Sequence, residues 1–171
     1  MRELVNRALQ TERLVLEPVC VAHAGEAWEG LQDPRLWIHF PALAPKTPAD
    51  LEARYARWAK PEAGNEAGEI WGNWMCRKKA TRKLVGSIQA TILPPASAHV
   101  AYMIFVNEQR KGYAKEALEE LITHLRDRVR LQHLYAEISP QNVPSLRLIA
   151  ALGFAPAAGL DMTWELPLLA L

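Results

Sequence analysis

The feature that most constrains this chain is a strand-like run that ends in a basic glycine turn and leads into a long amphipathic segment. Residues 100–106 (VAYMIFV) form the run, and the turn around Gly112 follows it. Beyond the turn, apolar residues recur at the 3.6-residue spacing of one helix face. They are Ala117, Leu118, Leu121, Ile122, Leu125 and Val129. The pattern predicts a buried strand, a tight turn and a long helix whose apolar face lies against a core.

Helix stability alone does not explain the charges at the two ends of this predicted helix. Arginines at its C-terminal end complement the negative pole of the helix dipole, whereas cations at its N-terminal end oppose the positive pole. The N-terminal cations are Arg110, Lys111 and Lys115. A bound anion would remove this conflict, and Gly112 lets the backbone approach such a ligand closely. The turn is therefore a candidate pyrophosphate site, although a plain glycine turn with surface lysines has the same residue types.

The other hydrophobic patterns predict helices and hairpins on one mixed sheet. Strands are predicted near residues 14–19, 70–77, 84–93, 134–138 and 162–168, and helices over 21–31, 47–60 and 143–152. The second of these helices begins with a capping threonine followed by proline, Thr47-Pro48. This order of elements predicts an α+β layered fold and one domain over residues 1–171.

The composition of the chain excludes several classes of function. It has 20 Lys and Arg against 19 Asp and Glu, so a formal net charge of +1 gives no overall field that would draw it to nucleic acid or to an anionic membrane. The uncharged run of residues 148–160 contains Gly153, Pro156 and Gly159 and is too short to span a bilayer. We therefore expect a cytoplasmic protein with no nucleic-acid or membrane partner.

The cysteines, histidines and tryptophans give expectations about individual positions. Cys20 and Cys76 are too few and too far apart for a disulfide framework or a zinc site, so we expect two buried thiols and no metal. We expect His23, His124 and His133 at the surface. Most of the six tryptophans should lie in the core because of their large apolar area.

The glycine turn resembles the signature of a known family. Gln109-x-x-Gly112-x-Ala114 after an apolar strand resembles the (Gln/Arg)-x-x-Gly-x-(Gly/Ala) pattern of the GNAT superfamily of acetyl-CoA-dependent N-acyltransferases. The resemblance implies a GNAT fold, with a mixed central sheet of about six or seven strands flanked by helices.

Further segments resemble one branch of that superfamily, which acetylates ribosomal-protein N-termini. Residues 11–16 (TERLVL) are similar to its opening strand, and residues 115–118 (KEAL) to its helix start. Asn142-x-x-Ser145, followed by residues 152–154 (LGF), resembles its second cofactor segment. The matches occur in the expected order over nearly the whole chain.

The resemblance implies that acetyl-CoA is the acetyl donor and indicates which residues bind it. In the family, backbone amides of the glycine turn bind the pyrophosphate, the pantetheine arm lies along the preceding strand, and a backbone N–H there polarises the thioester carbonyl. Asn142 would hydrogen-bond the cofactor arm, and capping the following helix is an alternative role for it. The implied residues are Ile104, Phe105, Val106, Gln109, Arg110, Lys111, Gly112, Tyr113, Ala114, Lys115 and Asn142.

The implied reaction is direct transfer, in which a neutral amine attacks the acetyl carbonyl and coenzyme A leaves as a thiolate. Ser145 stands where the branch has its proposed acid, and its alternative role is that of an early helical serine bonded to the backbone. Many relatives have a glutamate base where this chain has His99, and an imidazole can also accept the proton. A strand-end surface histidine is the alternative for His99, and His39 is the second candidate base.

An aromatic-lined acceptor groove is implied by segments that border that groove in relatives. Its candidate residues are Trp37, His39, Phe40, Tyr55, Trp74 and Tyr102. Without an acidic cluster there, a polycationic acceptor is less favoured than a protein N-terminus or a small amine. A homodimer is compatible with the exposed aromatic residues.

Two other functions stay open at this point. The first is a catalytically idle module that binds acetyl-CoA or coenzyme A as a sensor or interaction partner. The second is a nucleotide-phosphate-binding protein, which ATP rather than coenzyme A would stabilise.

Overall fold

The sheet at the centre of the fold contains eight strands within residues 2–60, 64, 68–93 and 95–168, which are the residues described by a computed structural model. The strands are β1 Leu9–Gln10, β2 Leu14–Pro18, β3 Ile70–Lys78, β4 Leu84–Leu93, β5 Ser97–Ile104, β6 His133–Glu137, β7 Ala155–Pro156 and β8 Thr163–Pro167. Their order across the sheet is β1-β2-β3-β4-β5-β6-β8-β7, and neighbours are antiparallel except for the parallel pair β5 and β6. The mixed sheet confirms the predicted fold class, and β1 and β7 are only two residues long.

Helices cover both faces of this sheet. They are α1 Arg2–Val5, α2 His23–Trp28, α3 Pro48–Trp58, α4 Tyr113–His124 and α5 Val143–Ala151, with short 3-10 turns at Glu29–Leu31, Pro34–Trp37, Pro41–Leu43 and Val106–Glu108. Residues of α4 and α5 belong to the larger core on one face, and residues of α2 and α3 to the smaller core on the other. Because successive strand residues point to opposite faces, Trp74 and Cys76 of β3 lie in the larger core whereas Met75 lies in the smaller one.

Two predicted helix features are confirmed. All six apolar positions of the predicted stripe, from Ala117 to Val129, are buried in the larger core. The last of these turns, Leu125–Val129, is π-helical rather than α-helical. At the start of α3, Thr47 accepts a hydrogen bond from the Asp50 N–H and the Asp50 carboxylate accepts one from the Thr47 N–H. This reciprocal cap leaves fewer backbone donors unpaired at the helix start.

Strand β5 ends two residues earlier than its apolar run predicted. Ile104 is its last residue, although the run continues to Val106. The Phe105 N–H still donates to the Val85 carbonyl at 2.8 Å, and a 3-10 turn begins at Val106. The Phe105 ring is buried in the smaller core. Its apolar side chain therefore continues the pattern of the strand, although the residue lies outside it.

Several expectations about individual positions were wrong. Cys20 is exposed. His23 and His124 are buried, with only 6% and 5% of their surfaces exposed. His23 turns inward because its Nε2 lies 3.0 Å from the Glu17 carboxylate and its Nδ1 accepts the Cys20 N–H. His124 belongs to the buried residues of α4, and His133 is half-buried.

Two kinds of feature are absent from the described residues. No helix among them is long and apolar enough to cross a membrane. They also contain no cluster of three or more His, Cys, Asp or Glu side chains that could hold a metal ion.

Candidate active site

The turn before α4 presents a row of unused backbone donors. Arg110 and Gly112 adopt left-handed conformations, with φ of 62° and 83°. Gly112 caps α4 without any side-chain hydrogen bond. No N–H of residues 110–115 donates a hydrogen bond to another group within the part of the chain that the structure describes. Because the helix dipole adds positive potential at the same place, the turn has the chemistry of an anion site.

The cations at this turn differ in their partners. Lys111 Nζ donates to the Asn107 carbonyl at 2.7 Å and lies 2.9 Å from a Glu108 oxygen. Lys115 lies 3.6 Å from Glu119 on the helix surface. Arg110, in contrast, makes no ion pair or hydrogen bond with the residues that the structure describes. The charge conflict inferred from the sequence therefore remains mainly at Arg110, whose guanidinium is available for an anion.

A small polar network anchors the turn to the beginning of β2. Arg13 donates to the Lys111 carbonyl at 3.0 Å and to Glu116 at 2.6 Å, and its guanidinium lies 4.7 Å from the centre of the Tyr113 ring. The Thr11 hydroxyl also donates to Glu116. Burial by itself would raise the pKa of Glu116, but the hydrogen bonds from Thr11 and Arg13 outweigh it and lower the pKa. The sequence pattern did not predict this anchoring role of Glu116.

Gln109 and Phe105 contribute to the shape of the turn. The Gln109 side-chain amide donates to the Ile104 carbonyl at 2.9 Å and so fixes the end of β5. The Phe105 ring packs against Gly30, where an added Cβ would lie 2.6 Å from the ring. The Phe105 N–H already donates to the Val85 carbonyl. Ile104 and Val106 therefore remain as candidates for the backbone N–H that was predicted to polarise the thioester carbonyl.

Strands β5 and β6 separate beside the turn and leave a backbone edge open. They pair only where Ser97–His99 faces His133–Tyr135, although β5 continues to Ile104. In an antiparallel ladder every second residue bonds to the partner strand. The bond between Phe105 and Val85 therefore directs the backbone groups of Val100, Tyr102 and Ile104 away from β4, toward the opening. An extended ligand could hydrogen-bond to this edge as an added strand does.

Helix α5 begins at the same opening with Asn142 and Ser145. The Asn142 side-chain oxygen accepts a hydrogen bond from the Ser145 N–H at 3.3 Å. Asn142 therefore caps α5, which was the alternative role considered for it. Its side-chain NH2 group stays available as a donor, and the half-buried Ser145 presents its hydroxyl in the first turn of the helix.

The Tyr102 hydroxyl is the unexpected polar group at this opening. Its oxygen is buried and has no well-formed hydrogen bond to the residues that the structure describes. Burial raises the pKa of Tyr102, and the neighbouring Ser145 hydroxyl lowers it by a smaller amount. Tyr102 packs against the larger core on the α4 side of the sheet, so it lies beside Ser145 and not in the aromatic groove where the sequence placed it.

His99 lies on the opposite face of β5, at the last position before the strands separate. Its Nδ1 is 3.3 Å from the Glu137 carboxylate, and its ring centre is 5.6 Å from that of Tyr135. The side chain is about one-third exposed, so it is reachable while held by these neighbours. His99 thus lies where β5 and β6 separate, partly exposed and beside a carboxylate.

The predicted aromatic groove is not assembled as one pocket. Trp74 is fully buried in the larger core, where its Nε1–H donates to the Arg7 carbonyl. Tyr55 is buried in the smaller core on the other face, and burial raises its pKa to about 12. Trp37 is also buried there and donates to the Leu31 carbonyl, whereas His39 is half-buried and Phe40 exposed. Successive side chains of β3 point to opposite faces of the sheet, and the side chain of Trp74 points away from α2 and α3. The position predicted for Trp74 was therefore wrong.

The comparison with known families decides the identity of this fold. Residues 13–155 match the acetyltransferase (GNAT) domain. The chain belongs to the GNAT acetyltransferase family. Acetyl transfer from acetyl-CoA is general for GNAT proteins, and the resemblance seen in the sequence is confirmed at this level.

Individual GNAT relatives are distant. An uncharacterized N-acetyltransferase of Bacillus licheniformis is 28% identical over 78 residues, which are 44% of this chain and 44% of that protein. The match therefore spans less than half the length of the curated relative.

Solved GNAT structures agree with the fold over almost the whole chain. A GNAT-family acetyltransferase from Bacillus anthracis superposes with a TM-score of 0.77 at 16% identity, covering 95% of this chain and 99% of that one. RimL, a ribosomal-protein alpha-N-acetyltransferase in complex with coenzyme A, superposes with a TM-score of 0.74 at 12% identity, covering 94% and 98%. At these identities the likeness shows the fold.

Proposed function

We propose that this GNAT protein transfers an acetyl group from acetyl-CoA directly to a primary amine, either a protein N-terminal α-amine or a small-molecule amine. The proposal also takes residues 1–171 as one catalytic domain. One observation carries it: the unused N–H row of residues 110–115 lies beside the open edge of β5, with Ser145 and Tyr102 on one face of that strand and His99 on the other.

The donor fits the groups that this chain leaves unpaired. The N–H row and the Arg110 guanidinium suit a pyrophosphate, and the open edge between Val100 and Ile104 suits the amides of a pantetheine arm. The Asn142 NH2 group can donate to the same arm. When bound, acetyl-CoA supplies the activated acetyl group, with its leaving thiolate near the hydroxyls of Tyr102 and Ser145.

The proton transfers are assigned to three side chains. His99 accepts a proton from the attacking amine, and Glu137 stabilises the resulting imidazolium. The amine nitrogen then forms its bond to the acetyl carbon while the carbon–sulfur bond breaks. Ser145 donates a proton toward the thiolate, and the Tyr102 phenol beside it is the stronger acid of the two. An amide and the free thiol of coenzyme A are the products.

The fold likeness to RimL supports a further proposal within this function. The segments 11–16, 115–118 and 142–154 resemble the branch that acetylates ribosomal-protein N-termini. In this structure Thr11 and Arg13 hold Glu116, so the first two segments form one connected unit at the donor site. We therefore place the protein in that branch, with a peptide α-amine as the preferred acceptor class.

Thermal stability and thiol release together test the function. Acetyl-CoA and coenzyme A should raise the melting temperature, whereas ATP should not, because only the former offer a pantetheine arm to β5. Thiol release should appear when peptides with free N-termini are added and vanish when the same peptides are N-acetylated. Stabilisation by acetyl-CoA without turnover on any amine would establish the idle binding module instead, and stabilisation by ATP alone would establish the nucleotide-binding alternative.

A further inference from the structure

A cavity on the α2–α3 side of the sheet lies outside the residues considered so far. Its volume is about 200 Å3, and it is lined by Arg57, Trp58, Trp71, Asn73, Gln89 and Thr91. Helix α3 supplies the first two residues, β3 the next two and β4 the last two. The sequence patterns predict no function for any of these six residues.

The strand register places this cavity next to His99. Trp71 pairs with Thr91, and Thr91 pairs with His99, so the three side chains lie in one row on one face of the sheet. Neighbouring strands are about 4.8 Å apart, which puts the β3 wall of the cavity roughly 10 Å from the His99 position. The cavity and the candidate base therefore share one surface.

Several polar groups in the cavity have no partner. Asn73 is only 8% exposed, yet its side-chain amide makes no hydrogen bond within the described part of the chain. The exposed Arg57 guanidinium likewise forms no ion pair among those residues, although Arg54 on the same helix donates to the Leu43 carbonyl. The Asn73 amide and the Arg57 guanidinium therefore both have unused hydrogen-bond donors at the cavity.

The lining selects one kind of ligand chemistry. Arg57 is the one charged residue among the six, and guanidinium groups favour carboxylates. Trp71 donates its indole N–H to the Glu69 carboxylate at 2.9 Å. The Asn73 and Gln89 amides can each donate to and accept from a peptide group, and the two indole rings provide apolar walls. Together these groups suit an acidic side chain on a peptide.

We propose that this cavity is a specificity pocket for the acceptor, and that it takes an acidic side chain two residues after the reacting N-terminal amine. The inference rests on the proposed function. An extended peptide advances about 3.3 Å per residue, and its first and third side chains point the same way. A carboxylate on the third residue can therefore reach Arg57 while the amine lies at His99.

Matched peptide acceptors test the pocket. Three amidated peptides of sequence Ala-Ala-X-Ala would be compared, with Glu, Gln or Lys at X. In the wild type, kcat/KM for the Glu peptide should exceed that for the Gln peptide about ten-fold, as for a charge-assisted hydrogen bond. Arg57→Gln should remove this preference, so that the Glu and Gln peptides have similar kcat/KM, and Arg57→Glu should favour the Lys peptide. Lys83→Gln removes a cation from the β3–β4 turn and should change nothing.

Binding measured without turnover separates this inference from the proposed function. Trp58 and Trp71 line the cavity, so peptide binding should change the tryptophan fluorescence. Arg57→Gln should weaken this fluorescence change for the Glu peptide alone. Equal kcat/KM for all three peptides in wild type and variants would overturn the pocket while the function stands. If no peptide is acetylated, the function fails, and the fluorescence titration alone decides whether the pocket binds the acidic side chain.

Discussion

The two faces of β5 are built from different parts of the chain. On the α4 side, the open strand edge and the N–H row lie within the continuous segment 100–115 and consist largely of backbone groups. On the α2–α3 side, His99 shares its surface with side chains from α3, β3 and β4. A backbone site depends on chain conformation, and a side-chain site depends on which residues the fold brings together. We therefore expect acetyl-CoA binding on the first face to tolerate side-chain changes, and acceptor recognition on the second face to be sensitive to them.

Removing the Tyr102 and Ser145 hydroxyls should produce the largest effect. The double variant Tyr102→Phe with Ser145→Ala leaves the backbone intact but removes both proton donors to the thiolate. Loss of general acid catalysis should lower kcat by about 10²–10³-fold with little change in acetyl-CoA affinity. Steady-state thiol release and equilibrium binding measure the two quantities.

Ser87→Ala provides the control for this pair. It removes a hydroxyl from the adjacent strand β4, at a position paired with Met103 and facing the other side of the sheet. Its kcat should match that of the wild type. A double variant that keeps full kcat would show that neither hydroxyl takes part, and the α4 side would then serve binding alone.

Replacing His99, which lies on the other face of β5, should have the next largest effect. His99→Gln keeps a polar side chain of similar size but cannot accept a proton at neutral pH. We expect kcat/KM to fall about 10²-fold near pH 7, with acetyl-CoA affinity unchanged. A variant that keeps full kcat/KM would exclude His99 as the base.

The contrast between the two faces also explains what the sequence could predict. Residues 100–129 carry a strand, a glycine turn and an amphipathic helix in one continuous pattern. These elements and the candidate anion-binding turn could therefore be predicted without knowing any distant contact. The capping box of Thr47 and Asp50 was predictable for the same reason. Gly112 could be recognised because only glycine adopts φ of 83° at little cost.

Long-range contacts account for what the sequence could not predict. Trp74 and Tyr55 were both predicted to line the acceptor groove. Because side chains alternate along β3, Trp74 lies in the larger core and Tyr55 in the smaller one. Tyr102 lies beside Ser145 only because α5 packs at the opening between β5 and β6. Arg57 and Asn73 form a cavity with Gln89 although 32 residues separate the first from the last in sequence. The polar positions Asn73, Gln89 and Thr91 inside otherwise apolar strands were the one signal that pointed to this surface.

A paired glycine substitution tests the conformational requirement of the α4 side. Gly112→Ala forces a left-handed residue to carry a Cβ, which would lie 3.2 Å from Arg13 Nη2 in the anchoring network. Gly159 also has a positive φ, 75°, but an added Cβ would meet nothing within 4 Å. Both variants should lose about 1 kcal/mol of unfolding free energy, because alanine disfavours this region. Only Gly112→Ala should also weaken acetyl-CoA binding, by about ten-fold.

Calorimetric titration with acetyl-CoA and urea unfolding measure these two effects. Equal affinities in the two glycine variants would mean that the turn does not contact the donor. In that case the α4 side would not be a site that binds the donor through the backbone groups of this turn.

The smallest effect concerns Glu116, which links the turn to β2. Its pKa is lowered in the folded protein, because hydrogen bonds from Thr11 and Arg13 outweigh burial. A lowered pKa means that the carboxylate stabilises the fold above its ordinary value of about 4.3, and that this contribution is lost as the pH falls through the folded value. Glu116→Gln should therefore cost about 1 kcal/mol at pH 7, and the difference from wild type should shrink in acid.

Urea unfolding at pH 7 and at progressively lower pH measures this difference. Glu119→Gln, on the exposed face of the same helix and 3.6 Å from Lys115, should cost less than about 0.5 kcal/mol. A cost for Glu116→Gln that does not depend on pH would contradict the charge-based account of the anchor. Because the anchor lies on the α4 side alone, its loss should weaken acetyl-CoA binding slightly and leave the preference for the acidic peptide, which depends on Arg57, as it is in the wild type.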